Sequence, residues 1–146
     1  MEKQIILQEV ERRLKEKIEH LEFLISEARA SNNDTKSSMG DKYETSREML
    51  QQEINNLLSQ LSVFLEQQIQ LKSLSVNTNS KVEKGALVQT QNGWFYISIS
   101  LGELKLDSKK IYAISPDSPL AKAMWNLEEG QEFSLNSSVQ KIETIS

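Results

Sequence analysis

The first 84 residues contain no proline and a single glycine, Gly40, and their apolar residues recur at steps of three and four. This is the period of one buried face of an α-helix. Two such segments joined by a short connection predict an antiparallel helical hairpin, a two-stranded coiled coil closed on itself. The predicted seam of the first helix is Leu7, Val10, Leu14, Lys17, Leu21, Leu24 and Ala28, broadened by Ile18 and Ile25. The predicted seam of the second is Tyr43, Arg47, Leu50, Ile54, Leu57, Leu61, Phe64, Gln68 and Leu71.

The connection between the two helices, residues 31–41, is polar and rich in small residues, which predicts a loop. The spacing from Asp41 to Glu44 is typical of a capping box that opens the second helix. Arms of about 26–30 residues extend roughly 40–45 Å at ~1.5 Å per residue. Lys17 and Gln68 interrupt the seam, and we expect them to set the register of the two helices.

Both prolines and the other four glycines follow residue 84, and there the apolar period changes to two. This pattern predicts strands over 86–91, 94–101, 110–115, 131–135 and 139–145, with a type I′ turn at Asn92-Gly93. Ser118 followed by Pro119 predicts the N-cap and first residue of a short helix. The fold class is therefore α+β: a helical hairpin over 1–75, a linker over 76–84 and a small β domain over 85–146 with one short helix.

Three aromatic residues of the β domain have no assigned place in this pattern. Trp94 and Tyr96 alternate with the core-facing Phe95 and Ile97. They form either an exposed docking patch or a face covered by the short helix, whose Trp125 we expect in the core.

Composition excludes several classes of function. The chain has no cysteine and one histidine, His20, which excludes a disulfide framework, a thiol nucleophile and a multi-histidine metal site. We expect His20 to be solvated beside the seam. The net charge of −4 argues against a protein that is primarily a nucleic-acid binder. No apolar run reaches the ~18–20 residues of a membrane helix, and the start lacks a signal-peptide pattern, so we expect a cytoplasmic protein.

The region 118–133 resembles the C-terminal domain of the bacterial Gre transcript-cleavage factors. Ser-Pro-Leu-Ala-Lys-Ala-Met at 118–124, followed by Glu-Gly-Gln-Glu-Phe at 129–133, is similar to the family's Ser-Pro-Ile-Ala-Arg-Ala-Leu and Val-Gly-Asp-x-Val. In that family an N-terminal coiled-coil hairpin precedes a domain of FKBP-type fold without isomerase activity. The same order is predicted here, so the resemblance covers essentially the whole chain.

The resemblance implies a regulator of transcription elongation. Gre-type factors bind RNA polymerase, insert the coiled coil into its secondary channel and bring acidic tip residues to the catalytic Mg²⁺. Oxygen ligands suit Mg²⁺, and a second metal can activate water for attack on a phosphodiester. The chain would then hold no cofactor of its own and would be no enzyme by itself, but an assistant to the active site of the polymerase.

The tip differs from the family's Gly-Asp-Leu-Ser-Glu-Asn-Ala-Glu-Tyr motif, because the segment between Arg29 and Tyr43 is three residues longer. In a forward register Asp34 takes the position of the family's Asp, and Ser37 stands where the first Glu would be. In the register counted back from Tyr43, the two acid positions hold Lys36 and Met39.

The candidate tip carboxylates, and the candidate Mg²⁺ ligands shared with the polymerase, are therefore Asp34 and Asp41, with Glu44 a weaker candidate. The alternatives are that Asp34 is a turn residue and that Asp41 and Glu44 form the capping box. Two other functions stay open: a secondary-channel regulator that does not cleave, and a coiled-coil interaction protein with a different partner.

Overall fold

The computed structural model describes residues 2–37 and 44–146, with the backbone alone at 34–37 and 44. Two long helices come first, and a six-stranded mixed sheet with one short helix follows within these residues, which confirms the predicted α+β class. The helices are α1 (Lys3–Ser37), α2 (Glu44–Lys72) and α3 (Pro119–Met124). The strands are β1 (Leu87–Thr90), β2 (Gly93–Ile97), β3 (Gly102–Leu106), β4 (Lys109–Ile114), β5 (Glu132–Leu135) and β6 (Ser138–Ile145).

Contacts divide the chain into two compact units. The hairpin unit is Arg13–Ile69, and the β unit combines Met1–Arg12 with Gln70–Ser146. The first turns of α1 therefore belong with the sheet and not with the rest of their own helix. The domain limits predicted from composition mark a change of sequence pattern and stay a prediction.

In the hairpin unit, one apolar stripe of each helix is buried. Leu21 and Ile25 of α1 cluster with Leu57 of α2, and Leu24, Leu61 and Phe64 pack against this cluster. The predicted seam of α2 is confirmed over Leu50–Leu71, where every predicted position is buried or half-buried. On the part of α1 that belongs to this unit, the buried residues are Leu14, Ile18, Leu21, Ile25, Ala28 and Asn32.

Two predictions for the hairpin are wrong. Lys17 is exposed, because a step of four from Leu14 brings the apolar Ile18 into the seam in its place. Helix α1 also continues through Ser37, so residues 31–37 are helical and not part of a loop. The remainder of the predicted loop, and Asp41 of the predicted capping box, lie outside the described residues. His20 is exposed as expected.

The sheet has the order β3-β4-β2-β1-β6-β5, and β2 and β4 form its parallel pair. Sequence analysis missed β3 and extended β2 to Leu101. The missed strand β3 forms a β-hairpin with β4. The two strands are joined by a turn at Asp107-Ser108, where both residues have positive φ, as a type I′ turn requires. Asn136-Ser137 turns in the same way between β5 and β6. The predicted type I′ turn at Asn92-Gly93 is wrong, since Gly93 pairs with Thr90 as the first residue of β2.

One face of the sheet packs against α3. Ser118 caps this helix by accepting a hydrogen bond from the Ala121 backbone N–H, and Pro119 begins it, both as predicted. Ala121 and Met124 then join a buried cluster whose sheet members include Val88 and Ile97. Trp125 is 38% exposed and not in the core, because α3 ends at Met124.

The opposite face of the sheet is also buried. Tyr96 pairs with Leu87 of β1 on one side and with Ala113 of β4 on the other, and all three are at most 1% exposed. The covering element is the start of α1: Ile6 lies beside Leu106 and Lys109. Tyr96 is therefore not part of an exposed docking patch, and the element that covers it is α1 rather than α3.

The Tyr96 hydroxyl has no hydrogen-bond partner among the described residues. Burial, and to a lesser degree the negative charge of Glu11, raise the pKa of this phenol from 10.0 to about 12. Burial of a phenol favours its neutral form, since the phenolate would lose its hydration.

Lys3 fastens the start of α1 within the β unit. Its Nζ donates to the Asn77 carbonyl oxygen at 2.7 Å, to Asn79 Oδ1 at 2.7 Å and to the main-chain oxygen of Ser146 at 3.1 Å. Desolvation lowers the pKa of this ammonium, and the negative charge of Glu83 partly opposes that effect. Two residues of the predicted linker thus hold a buried cation.

Replacing Lys3 with Met is expected to destabilise the protein by about 1–3 kcal/mol at pH 7, because three oxygens lose their donor. Chemical denaturation measures this difference. Lys15→Met, at an exposed position of the same helix, is the control and should change the free energy of unfolding by less than about 0.5 kcal/mol. Equal stability of the Lys3 variant and the wild type would contradict the role of this residue.

Replacing Tyr96 with Phe is expected to leave stability at pH 7 unchanged or slightly higher, because the lost hydroxyl has no partner in the described part of the chain. In the wild type the folded state keeps the phenol proton up to about pH 12, whereas the unfolded state releases it near pH 10.0. The wild-type free energy of unfolding therefore falls as the pH rises above 10, and the variant lacks this loss. Urea denaturation of both proteins at pH 7 and pH 10.5–11.5 measures the difference; a gap that does not widen with pH would contradict this account.

Candidate functional site at the distal end of the hairpin

Two of the three carboxylate positions predicted from the sequence lie at the end of the hairpin where α1 stops and α2 begins. The Asp34 backbone lies in the last turns of α1, and Glu44 is the first residue of α2. Asp41 lies outside the described residues, and the side chains of Asp34 and Glu44 are not described. The helices therefore bring two of the three predicted positions to the same end, and the roles of all three stay predictions.

The last buried position before this end is polar. Asn32 is 7% exposed and continues the buried stripe of α1 by one step of four beyond Ala28. Its Oδ1 has no hydrogen-bond partner among the described residues. Sequence analysis ended the stripe at Ala28 because Asn32 stands among polar residues; the signal that could have found it is the spacing of four.

The position of Asp34 differs from that of Asn32. Two residues correspond to about 200° around a helix, so position 34 is on the other side of α1 from the seam. Position 34 is therefore not a seam position of α1.

Within residues 2–37 and 44–146, no group of three or more His, Cys, Asp or Glu side chains could hold a metal ion. No helix in the described part of the chain is long and apolar enough to cross a membrane.

The β unit presents one aromatic side chain beside a cation. The Lys109 ammonium lies 6.0 Å from the centre of the half-buried Trp94 ring. Phe95 and Tyr112 stack on the other face of the sheet, with ring centres 5.6 Å apart. Of the two aromatic residues for which the sequence left a docking patch or a covered face open, Trp94 alone is partly accessible.

Comparison with known proteins gives structural matches alone. No protein-family model matches the chain, and no curated protein matches it. Among solved structures, GreA factor homolog 1 (Gfh1) of Thermus thermophilus is 17% identical, with a TM-score of 0.36, over 93% of this chain and 94% of that one. A second structure of the transcription factor Gfh1 is 17% identical, with a TM-score of 0.38, over 91% and 89%. Gfh1 of Thermus aquaticus is 16% identical, with a TM-score of 0.36, over 92% of each chain.

These solved structures are of GreA factor homologues, the group that the sequence resembles. At 16–17% identity and these TM-scores, the likeness adds no weight of its own to a function. The function is inferred below from the residues of this chain.

Replacing Asn32 with Leu is expected to stabilise the hairpin by about 1 kcal/mol, because it removes a buried amide oxygen that has no partner among the described residues and extends the apolar seam. The matched control is Asn33→Leu, at the neighbouring exposed position, which should leave the melting temperature within error. Thermal unfolding followed by circular dichroism measures both. An Asn32→Leu variant less stable than the wild type would show that the Asn32 amide is satisfied in the folded protein.

Proposed function

We propose that this chain is a Gre-like regulator of transcription elongation that binds RNA polymerase and inserts its helical hairpin into the secondary channel. The observation that carries the proposal is one combination in a single chain: a two-helix hairpin with acids in the sequence of its distal end, followed by a β unit whose sheet packs against α3 (Pro119–Met124). Each part has a physical role in the proposed activity.

The hairpin supplies the length that the proposed activity requires. Residues 13–37 of α1 extend about 37 Å, and residues 44–69 of α2 about 39 Å, at ~1.5 Å per residue. The paired seams, which include the buried Leu21, Ile25 and Leu57, hold the two helices together. A narrow, paired arm of this length can carry a side chain to a reaction centre that lies deep in a channel.

The distal acids supply the chemistry. Asp34 and Asp41, with Glu44 as a weaker third, would donate carboxylate oxygens to Mg²⁺ in the active site of the polymerase. A divalent ion held there activates water for attack on the transcript and stabilises the charge that develops on the phosphate. The chain itself contributes ligands and holds them in place, so it assists a reaction of its partner and catalyses none alone.

The β unit supplies the docking body. Its sheet is covered on one face by α3 and on the other by the start of α1, so its surface is set by a packed core. Trp94 beside Lys109 is its candidate contact with the polymerase, because a half-exposed aromatic residue can bury a large area at little cost in conformational entropy.

A second candidate function is a secondary-channel regulator that does not stimulate cleavage. The observation that favours it is the tip sequence. In the forward register Ser37 stands where the Gre motif has its first Glu, and in the register counted back from Tyr43 both acid positions are lost, to Lys36 and Met39. With a single inherited carboxylate, the arm could occupy the channel without completing a metal site.

The test is a transcript-cleavage assay on a backtracked elongation complex, with co-sedimentation as the measure of binding. For a cleavage factor, Asp34→Asn and Asp41→Asn together are expected to reduce stimulated cleavage at least about tenfold, since they remove metal-ligand charge. Binding to the polymerase should be unchanged. Glu44→Gln should have a smaller effect.

Glu27→Gln is the matched control, because it removes one charge from an exposed position of α1 about two turns before Asp34. It should leave cleavage unchanged. A double variant as active as the wild type would refute delivery of carboxylates, and a wild type that binds without stimulating cleavage would establish the second candidate. Absence of binding would refute both.

A further inference from the structure

Strand β3 forms one edge of the sheet, and among the described residues its single neighbouring strand is β4. Leu104 is fully buried on the face that also carries Tyr96, whereas Glu103 and Lys105 are exposed on the opposite face. At the start of the strand, a Cβ atom built on Gly102 would meet no described atom within 4 Å. The space beside this end of the edge is therefore open.

The turn at Asp107-Ser108 determines which backbone groups of β3 point away from the sheet. A two-residue turn makes its closing pair of residues exchange hydrogen bonds. Hydrogen-bonded and non-hydrogen-bonded positions then alternate along the hairpin. The backbone of Leu104 is thus directed toward β4, and the N–H and C=O groups of Glu103 and Lys105 are directed outward. Outward groups of an edge strand are a template for pairing with another strand.

The pairing of β3 with β4 brings two like charges together. Lys105 is directly opposite Lys110, at a non-hydrogen-bonded position, where the two Cα atoms are about 4.5 Å apart and the side chains are closest. Like charges opposite one another destabilise a pair of strands. An acid on the outer side of Lys105 would offset this repulsion.

We infer that β3 pairs with the β3 of a second copy of the chain, antiparallel about a two-fold axis beside Leu104. Glu103 then lies opposite Lys105 of the second copy, and this contact occurs twice. Both residues have outward-directed backbone groups, so each of the two pairs also exchanges backbone hydrogen bonds. The two sheets become continuous, and each pair of Lys105 with Lys110 gains a neighbouring carboxylate. An isologous interface needs such self-complementarity.

Charge selects this register over the two registers nearest to it. Residues with outward-directed groups pair with one another, so the register shifts in steps of two residues. A shift in one direction places Glu103 opposite Glu103 of the second copy, and a shift in the other places Lys105 opposite Lys105. Of the three registers, the one about Leu104 brings opposite charges together, which stabilises paired strands.

Charge reversal tests this pairing on the full-length chain. The strand is five residues long, which makes the interface small, so sedimentation equilibrium of the wild type should show a weak monomer–dimer equilibrium. Lys105→Glu should weaken dimerisation at least about tenfold, because carboxylates then face each other in both pairs. Within the chain the same substitution places an acid opposite Lys110, so circular dichroism should show a folded protein.

The double variant Glu103→Lys with Lys105→Glu exchanges the two charges and should recover the wild-type dimerisation constant. Lys84→Glu is the control for net charge, because it makes the same change at an exposed position outside the strands. It should leave dimerisation unchanged. A folded double variant that does not recover dimerisation would overturn the proposed register.

Amide hydrogen exchange gives an independent readout at individual residues. The N–H groups of Glu103 and Lys105 should exchange more slowly as the protein concentration rises, because they donate hydrogen bonds in the dimer. The Leu104 N–H, which is directed toward β4, should be protected at every concentration. Exchange at Glu103 and Lys105 that does not depend on concentration would contradict the pairing.

A wild type that stays monomeric at about 1 mM, a concentration at which even weak association is detected, would also overturn the inference. If in that case Lys105→Glu weakened binding to RNA polymerase, the edge of β3 would belong to the polymerase. Dimerisation is measured without the polymerase, so failure of either proposal leaves the other intact.

Discussion

The sheet of this protein has two apolar faces, and the fold depends on the way each of them is covered. α3 is six residues long and closes one face with Ala121 and Met124. The other face, with Tyr96 at its centre, is closed by the first turns of α1. Each apolar face must pack against another apolar element. The apolar stripe of α1 therefore packs against the sheet at the start of the helix and against α2 farther along.

This double use explains which parts of the hairpin could be predicted from sequence. Helical periodicity is strong over long segments, so the two helices and the seam of α2 follow from spacing alone. The seam of α1 is harder to predict because its buried residues follow steps of four from Ile6 to Ile18 and then alternate. A strict heptad reading places Lys17 in the seam, and the helix places Ile18 there.

In the β unit, the strands with a clear local pattern could be predicted, and the strand and contacts without such a pattern could not. Strands with clear alternation were predicted to within a few residues, whereas β3 was missed because Gly102–Leu106 contains a single fully buried residue, Leu104. Its turn at Asp107-Ser108 lacks the glycine that usually marks a type I′ turn. Burial of Tyr96 could not be predicted either, since the covering residues are about 90 positions away and no local pattern records that contact.

For the candidate site, the sequence places acids at the distal end but does not determine their register, because the tip segment differs in length from the motif it resembles. The helices locate that end independently, with Asn32 as the last buried position before it. A buried polar residue without a partner for its oxygen among the described residues weakens the seam at that place. The end that carries the candidate acids is therefore also the end where the seam finishes on a buried polar side chain.

The shared use of α1 also sets the limits at which the protein can be divided. A fragment that begins at the linker would lose the first turns of α1 and would leave Leu87, Tyr96 and Ala113 in water, although its own sequence is complete over every strand. A fragment cut after Arg12 and rejoined at Gln70 would keep both covers of the sheet. If the hairpin unit were exchanged between related proteins, the junctions would therefore have to lie at these two positions, which are inside α1 and α2. Junctions in the loops between elements would remove one cover of the sheet.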